Sequence, residues 1–342
     1  MSLDRRLSVA LMMDWTDRHC RYFLRGFSPH VLLYTEMITA AAILRGDRER
    51  LLKFDAEEHP VALQLGGSEP ADLAKAARIG EEFGYDEINL NCGCPSDRVS
   101  SGSFGACLMR QPARVADCVA AMKATVRVPV TVKMRIGVVE GKQANTRKQI
   151  AEVSKQDVDD LHDFVTRIRD AGCDVAIVHA RKAVLGGLSP KENREVPPLH
   201  YEVVHDLKQA FENLPVIVNG GFKTTAATLE ALTWCDGVML GREAYHRPML
   251  LAELDEALHP QEAGSVTRSR EDMLERMAHY AAREVAGGDR LSSITRHMLG
   301  LYAGEPGARD YRRALSEGAR EAGAGAALIR KIAASLSKNT YI

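Results

Sequence analysis

No apolar run approaches the roughly 18 residues that a membrane-spanning helix needs. The opening stretch MSLDRRLSVALMMDW is no secretory leader, because its apolar part is short and ends at Asp14. The expectation is a cytoplasmic protein that does not enter a membrane. There is no even, paired set of cysteines either. Seven are scattered, at Cys20, Cys92, Cys94, Cys107, Cys118, Cys173 and Cys235. An odd number without a framework reads as reduced thiols of the cytosol. Cys92 and Cys94 are only one residue apart, a poor zinc-ligand spacing, so no metal site is expected. The net charge is −1, which excludes the strongly basic balance of many nucleic-acid binders without excluding a local patch. Repeats of solenoid period are absent. So is a G-x-G-x-x-G turn after the first apolar run, which weakens an open dinucleotide-binding sheet.

What the chain does have is alternation. Short apolar runs at Leu7–Leu11, Val31–Tyr34, Val61–Leu65, Glu87–Asn91, Val130–Met134, Val175–Val178, Val216–Val218 and Gly237–Leu240 take turns with amphipathic stretches such as Pro70–Phe83, Ala113–Thr125 and Val158–Ala171. Strands buried on both faces and separated by helices predict parallel βαβ units. Eight such units in about 240 residues match a (β/α)8 TIM barrel. The expected fold class is therefore α/β: a TIM barrel over residues 1–258, followed by a C-terminal all-helical domain over residues 259–342. Helices are expected there at Arg270–Ala286, Leu291–Tyr302, Arg309–Gly323 and Ala326–Ser337. From Gln261 onward, 13 Lys and Arg face 10 Asp and Glu, a balance of +3 against −4 for the remainder. Arginine supplies 11 of those cations, and its fork suits phosphate, although charge alone favours a salt-bridged helical surface. The polar stretch Gly141–Asp160 reads as a loop with part of a helix.

Polar groups collect where the predicted strands end. Met12-Met13-Asp14 follows the first, Thr35-Glu36-Met37 the second, and Gln64 lies near the end of the third. Asn91 closes the fourth, Lys133 nearly ends the fifth, and His179 follows the sixth. Asn219-Gly220-Gly221 and Gly241-Arg242 follow the last two. In a barrel these ends form one rim, where the active site is built. The glycine-bearing seventh and eighth turns are the usual phosphate site of such barrels, so a phosphate-bearing cofactor is expected. Lys133 in such a core points to a bound anion, such as the negative pyrimidine ring of a reduced flavin, with a structural ion pair as the alternative. Cys94, in the Gly93-Cys94-Pro95 turn, is placed to donate a proton, since an unperturbed thiol with a pKa of about 8.5 is protonated at neutral pH. A small buried hydrophobe is the other reading of any free cysteine, and composition does not separate Cys94 from Cys92 or Cys107.

The segments MMDWTDRHCR, LLYTEM, HPVALQLGG, YDEINLNCGCPSDRV, FGACLM, PVTVKMRIG, HARKAVLGGLSPKENREVPPL, NGGF, DGVMLGREAY and ITRHMLGLYAGEPGARDYRR together resemble the tRNA-dihydrouridine synthases, most closely their A-type branch, from about Leu7 to Ser316. The resemblance implies an FMN-binding barrel, a helical tRNA-binding domain, NADPH as reductant, and reduction of D-loop uridines at positions 20 and 20a of tRNA. It implies that Met12 and Met13 back the flavin, that Gln64, Lys133 and His179 hold its ring and ribityl chain, and that Asn219, Gly220, Gly221, Gly241 and Arg242 hold its phosphate region. Cys94 would be the proton donor. Asn91, Lys191, Arg194, Arg309 and Arg312 would touch tRNA, with Arg181 and Lys182 as further contacts. A monomer is expected. The sequence departs from the family at Leu11, where proline is usual, and between Gly137 and Asp160, which is longer than usual and reads as a disordered loop. The rival functions are a flavin barrel enzyme acting on a small metabolite and an RNA-binding protein with an inactive barrel.

Overall fold

A computed structural model describes residues 3–95, 104–141, 146–261 and 269–339. Each of the eight expected apolar runs forms a strand. They are β1 (Leu7–Val9), β2 (Leu32–Thr39), β3 (Val61–Gly66), β4 (Glu87–Cys92), β5 (Val130–Arg135), β7 (Val175–His179), β9 (Val216–Asn219) and β10 (Gly237–Leu240). They pair in parallel and close into a barrel in the order β1-β10-β9-β7-β5-β4-β3-β2. Helices Pro70–Glu82, Pro112–Lys123 and Lys155–Asp170 fall where amphipathic stretches were expected. Among the described residues, no helix is long and apolar enough to cross a membrane.

Two devices fix the barrel. At its amino-terminal end, Asp86, Asp174 and Asp236 each accept the first N–H of the neighbouring strand, from Val61, Val130 and Val216, all at 2.7 Å. Inside, the period-2 pleat turns every second residue inward. One side of the interior is an apolar cluster of Ala10, Leu32, Tyr34, Ala62, Val175, Ile177, Ile217 and Met239, against which Leu11 packs. Leu11, the departure from the family's proline, therefore helps to seal the barrel. The other side is polar and is lined by β3, β4 and β5.

Two further strands were not foreseen. β6 (Val138–Glu140) and β8 (Ala183–Leu185) pair in parallel as a separate two-stranded sheet. The stretch Gly141–Asp160, read as a loop with part of a helix, holds more helix than expected. Residues 142–145 lie outside the described residues, but the rest holds helix Thr146–Ala151 and the start of helix Lys155–Asp170. Ile150 packs on Val139 and Val184, and Ser154 and Asp157 form a capping box. An apolar anchor and a cap stabilise helix where polar composition alone predicts disorder.

The chain divides into two compact units. The first comprises residues 1–13, 32–54 and 60–241, and the second residues 14–31, 55–59 and 242–342. Helix Met249–Leu258, counted with the barrel from sequence, belongs to the second unit, as does helix Arg18–Arg25. Helix Arg270–Ala286 buries Met273, Leu274, Met277, Tyr280 and Ala281 at the centre of that unit. Tyr22 stacks on Tyr280 with centroids 3.9 Å apart, and the buried Arg21 pairs with Glu58 at 2.6 Å. The unit also holds helices Arg242–His246, Leu291–Thr295, Ala308–Gly318 and Ala326–Asn339.

Candidate active site

The strand ends meet inside the barrel because the pleat and the register agree. Gln64 pairs in register with Asn89, Asn91 with Lys133, Arg135 with His179, and His179 with Asn219. Lys133 Nζ donates to Asn219 Oδ1 at 3.1 Å. Their strands are separated by β7, so the side chains touch only across the barrel interior. The Asn219 amide in turn donates to the Met239 carbonyl at 2.7 Å.

Lys133 makes no ion pair among the described residues. It sits at the open rim, yet deep enough that burial, aided by the Arg135 charge, pulls its pKa down to about 7. Arg135 is a second buried cation, and sequence reasoning passed over it. It donates to the carbonyls of Gly93 at 3.2 Å and Asn193 at 3.1 Å, and to that of Lys182 at 3.4 Å. Burial draws it down to about 9, which still leaves it charged at neutral pH. The strand pleat was the missed signal, since Lys133 and Arg135 are two apart and share the inward face of β5. Burial, followed by the charges of Arg135 and Lys133, drives His179 well below the ordinary imidazole value, so its ring is neutral. Two buried cations without a carboxylate partner, beside a neutral imidazole, form a site suited to an anionic group.

The glycine turns shape the backbone for close approach. Gly220 and Gly221 have φ of +117° and +82°. A Cβ on Gly220 would lie 2.7 Å from the His179 ring, and one on Gly221 would lie 2.5 Å from Leu199. Any larger residue is barred by conformation and by space. The Tyr201 hydroxyl holds the first of these turns by donating to the Gly220 carbonyl at 2.5 Å. At Gly241 no atom lies within 4 Å of where a Cβ would be, so its backbone faces open space. Arg242 follows as the first residue of helix Arg242–His246. The cradle and the uncompensated cations fit a flavin phosphate and ring.

Asn91 lies near the end of β4, and Cys94 lies just past it. Asn91 is buried, and its Oδ1 accepts the N–H groups of Gly93 at 3.1 Å and Cys94 at 3.0 Å. Its amide donates to Gln64 Oε1 at 2.5 Å. Cys94 is partly open to solvent, whereas Cys92 is buried. Desolvation pushes the Cys92 thiol far up, so it is inert. Cys107 is half-exposed, but its thiol is turned onto the Phe104 carbonyl at 3.1 Å, and it packs against Ala106, Ala183 and Leu185. Met12 and Met13 follow β1, with Met13 50% exposed.

Among the residues assigned to RNA, Lys191 and Arg194 are exposed on the turn after β8. Between them Asn193 is fully buried, bonded to the Val184 N–H at 2.7 Å and carbonyl at 3.0 Å. It anchors the turn that carries both cations. Lys182 is a correction. It is 2% exposed, and its ammonium donates to Asp157 at 2.7 Å and to the Gln149 carbonyl at 2.8 Å, so it holds the 146–170 helices and is shut away from RNA. Arg181 bonds the Pro197 carbonyl. In the second unit, Arg270, Arg276, Arg283, Arg296, Arg313 and Arg330 all have carboxylate partners. Arg309 and Arg312 are exposed and have no ion pair among the described residues.

The chain matches the dihydrouridine synthase (Dus) family over residues 8–337. Three relatives named tRNA-dihydrouridine(20/20a) synthase illustrate the similarity. The protein of Pseudomonas aeruginosa is 56% identical over 315 residues, covering 92% of this chain and 90% of its own. That of Synechocystis is 52% identical over 324 residues, covering 95% and 92%. That of Vibrio parahaemolyticus is 50% identical over 338 residues, covering 98% of each.

Proposed function

The chain belongs to the dihydrouridine synthase family, and from that premise we propose that it is a cytoplasmic, flavin-dependent oxidoreductase that reduces the C5=C6 bond of uridines 20 and 20a in tRNA. The observation that carries this reading is the rim of the barrel, where two cations without carboxylate partners, a glycine cradle and a solvent-reachable thiol converge. We assign FMN to the cradle and NADPH as its reductant. FMN, when bound, supplies the hydride that C6 of uracil receives.

The side chains do the rest. Asn219, Gly220, Gly221 and Gly241 offer backbone and amide to the phosphate region, with Arg242 beside them in sequence. Lys133 offsets negative charge on the ring, and neutral His179 and Gln64 orient it by hydrogen bonds. Met12 and Met13 pack behind it. The target uridine is turned out of its stack to reach the rim. Asn91 and Cys94 meet it there. The Cys94 thiol gives its proton to C5 as C6 gains the hydride, which leaves a thiolate that solvent reprotonates. Lys191, Arg194, Arg309 and Arg312 contact the tRNA. The protein works as a monomer.

The test is incubation of purified protein with NADPH and an unmodified tRNA transcript, followed by mass-spectrometric mapping of dihydrouridine. Product at positions 20 and 20a is expected. Steady NADPH oxidation without dihydrouridine would point to a small-metabolite reductase.

A further inference from the structure

A continuous file of hydrogen bonds runs through the barrel interior, from its amino-terminal mouth to the rim. Arg5 donates twice to Glu87 Oε2, at 2.8 and 3.2 Å. Glu87 Oε1 accepts from the hydroxyls of Tyr34 at 2.5 Å and Thr131 at 2.6 Å. The Thr131 oxygen, its hydrogen committed, accepts from the Asn89 amide at 2.8 Å. Asn89 Oδ1 accepts from Gln64 at 2.7 Å, and Gln64 Oε1 accepts from Asn91 at 2.5 Å. Asn91 Oδ1 then takes the N–H groups of Gly93 and Cys94. Glu87, Asn89, Gln64 and Thr131 are fully buried, and Asn91 is 3% exposed.

The two ends of this file demand the same direction. A carboxylate offers only acceptors, and a backbone N–H only a donor. Reversing any one carboxamide sets donor against donor, or acceptor against acceptor, somewhere along the file, a mismatch that is costly among fully buried groups. Glu87, Asn89 and Thr131 lie below the rim and are fully buried.

We propose that Glu87, Thr131 and Asn89 are positioning residues. The buried carboxylate sets the polarity of the file, and the file holds the Asn91 carboxamide and the Gly93–Cys94 backbone in the single orientation that presents the Cys94 thiol at the rim. This rests on the reading that Asn91 and Cys94 meet the uridine.

The experiment compares Thr131→Val, which keeps the shape and removes the hydroxyl, with Thr131→Ser, which restores it. Two readouts are taken on flavin-loaded protein. The first is the rate at which iodoacetamide labels Cys94, followed by mass spectrometry, and it needs no turnover. The second is reoxidation of dithionite-reduced enzyme by unmodified tRNA, with reoxidation by oxygen alongside. In Thr131→Val the labelling rate is expected to change several-fold. Reoxidation by tRNA is expected to slow by about tenfold to hundredfold, the size of a small misplacement, at unchanged tRNA affinity. Reoxidation by oxygen stays within twofold, and Thr131→Ser recovers both wild-type rates. Wild-type labelling and wild-type reoxidation in Thr131→Val overturn the proposal, as does equal slowing with tRNA and oxygen. If Thr131→Val does not fold, Thr131→Cys, a weak donor of similar size, is to fall between wild type and loss, and wild-type values there overturn it. Full dihydrouridine synthesis by Cys94→Ala would instead break the reading beneath the proposal, while the labelling comparison still reports whether the file sets the loop.

Discussion

Among the seven cysteines, five are buried and only Cys94 and Cys107 meet solvent, and Cys107 spends its thiol on the Phe104 carbonyl. A proton donor to a bound base has to be reachable, which among the cysteines favours Cys94, the donor we propose. Cys94→Ala is expected to bind FMN and accept electrons from NADPH as wild type does. In a single turnover with tRNA it loses about a hundredfold to ten-thousandfold in rate, the usual cost of removing a general acid. Cys92→Ala and Cys107→Ala lose far less, and wild-type reoxidation of Cys94→Ala with product formed would assign the proton to another group. Lys133 yields a second prediction. Lys133→Met keeps the apolar stem and removes the charge, so the potential of bound flavin falls. A close charge contact of about 2–4 kcal/mol corresponds to about 40–90 mV for a two-electron couple. The pH dependence follows from burial, which holds the ammonium at about 7 in the free site. An anionic partner raises that value, so the complex carries more protons than the free site. Affinity for reduced FMN therefore weakens as pH climbs from about 7 toward about 9, and Lys133→Met is flat across that window. Anaerobic titration of apoprotein at several pH values checks the sign. An unchanged potential in Lys133→Met, with flavin bound, would make the lysine structural.

At the scale of elements, the helices that follow β6 hang on one buried pair. Burial alone would raise the Asp157 carboxyl, but hydrogen bonds from Lys182 and Ser154 hold it below the usual carboxylate range. Lys182→Met removes the partner of a partly buried carboxylate and is expected to cost about 1–3 kcal/mol in opening of helix Lys155–Asp170, read by amide hydrogen exchange. A carboxylate with a depressed folded value contributes stability above its unfolded value, near 4, and loses it as pH falls through the folded one. Wild type therefore loses this stability below about pH 4, while the variant shows a flatter acid limb. These elements also mark where the sequence was readable. The eight barrel strands were legible because each is a short, mainly apolar run, and the runs alternate with amphipathic stretches. β6 and β8 are three residues each, lie outside the strand–helix alternation of the barrel, and are held by pairing with one another. Lys133, His179 and Asn219 were legible from their strand ends, whereas the file through Glu87, Asn89 and Thr131 was not. A polar residue inside a strand looks like a solvent-facing one until its cross-barrel partner is known. Helix Arg18–Arg25 reads in chain order as the barrel's first connection. Its Arg18 pairs with Glu284, 266 residues away, and no local pattern announces such a partner.

At the scale of the molecule, a net charge of −1 conceals how the arginines of the helical unit are used. From Arg270 onward, six of them are matched to carboxylates among the described residues and serve its own surface. An exposed ion pair contributes little to stability and presents little field to an approaching phosphate, because its charges cancel at close range. Arg309 and Arg312 differ. They stand exposed on helix Ala308–Gly318, with no carboxylate held among the described residues. The salt-bridged surface expected from charge alone and the phosphate grip expected from the resemblance therefore involve different arginines. Arg309→Ala and Arg312→Ala should each weaken tRNA binding uniformly across tRNA sequences. Each should lower the slope of log affinity against log salt by about 1, the counterion release lost with one phosphate contact. Arg313→Ala, which breaks a pair with Asp310 instead, should change the slope much less. Flavin content and NADPH oxidation without tRNA should match wild type in all three, since the flavin is assigned to the barrel unit. The measurement is tRNA binding across a salt titration, by filter retention or fluorescence anisotropy. Superimposable titrations for wild type, Arg309→Ala and Arg312→Ala would remove this helix from the tRNA interface, and an equal loss in Arg313→Ala would mean that general surface charge, and not two unmatched guanidinium groups, draws the nucleic acid in.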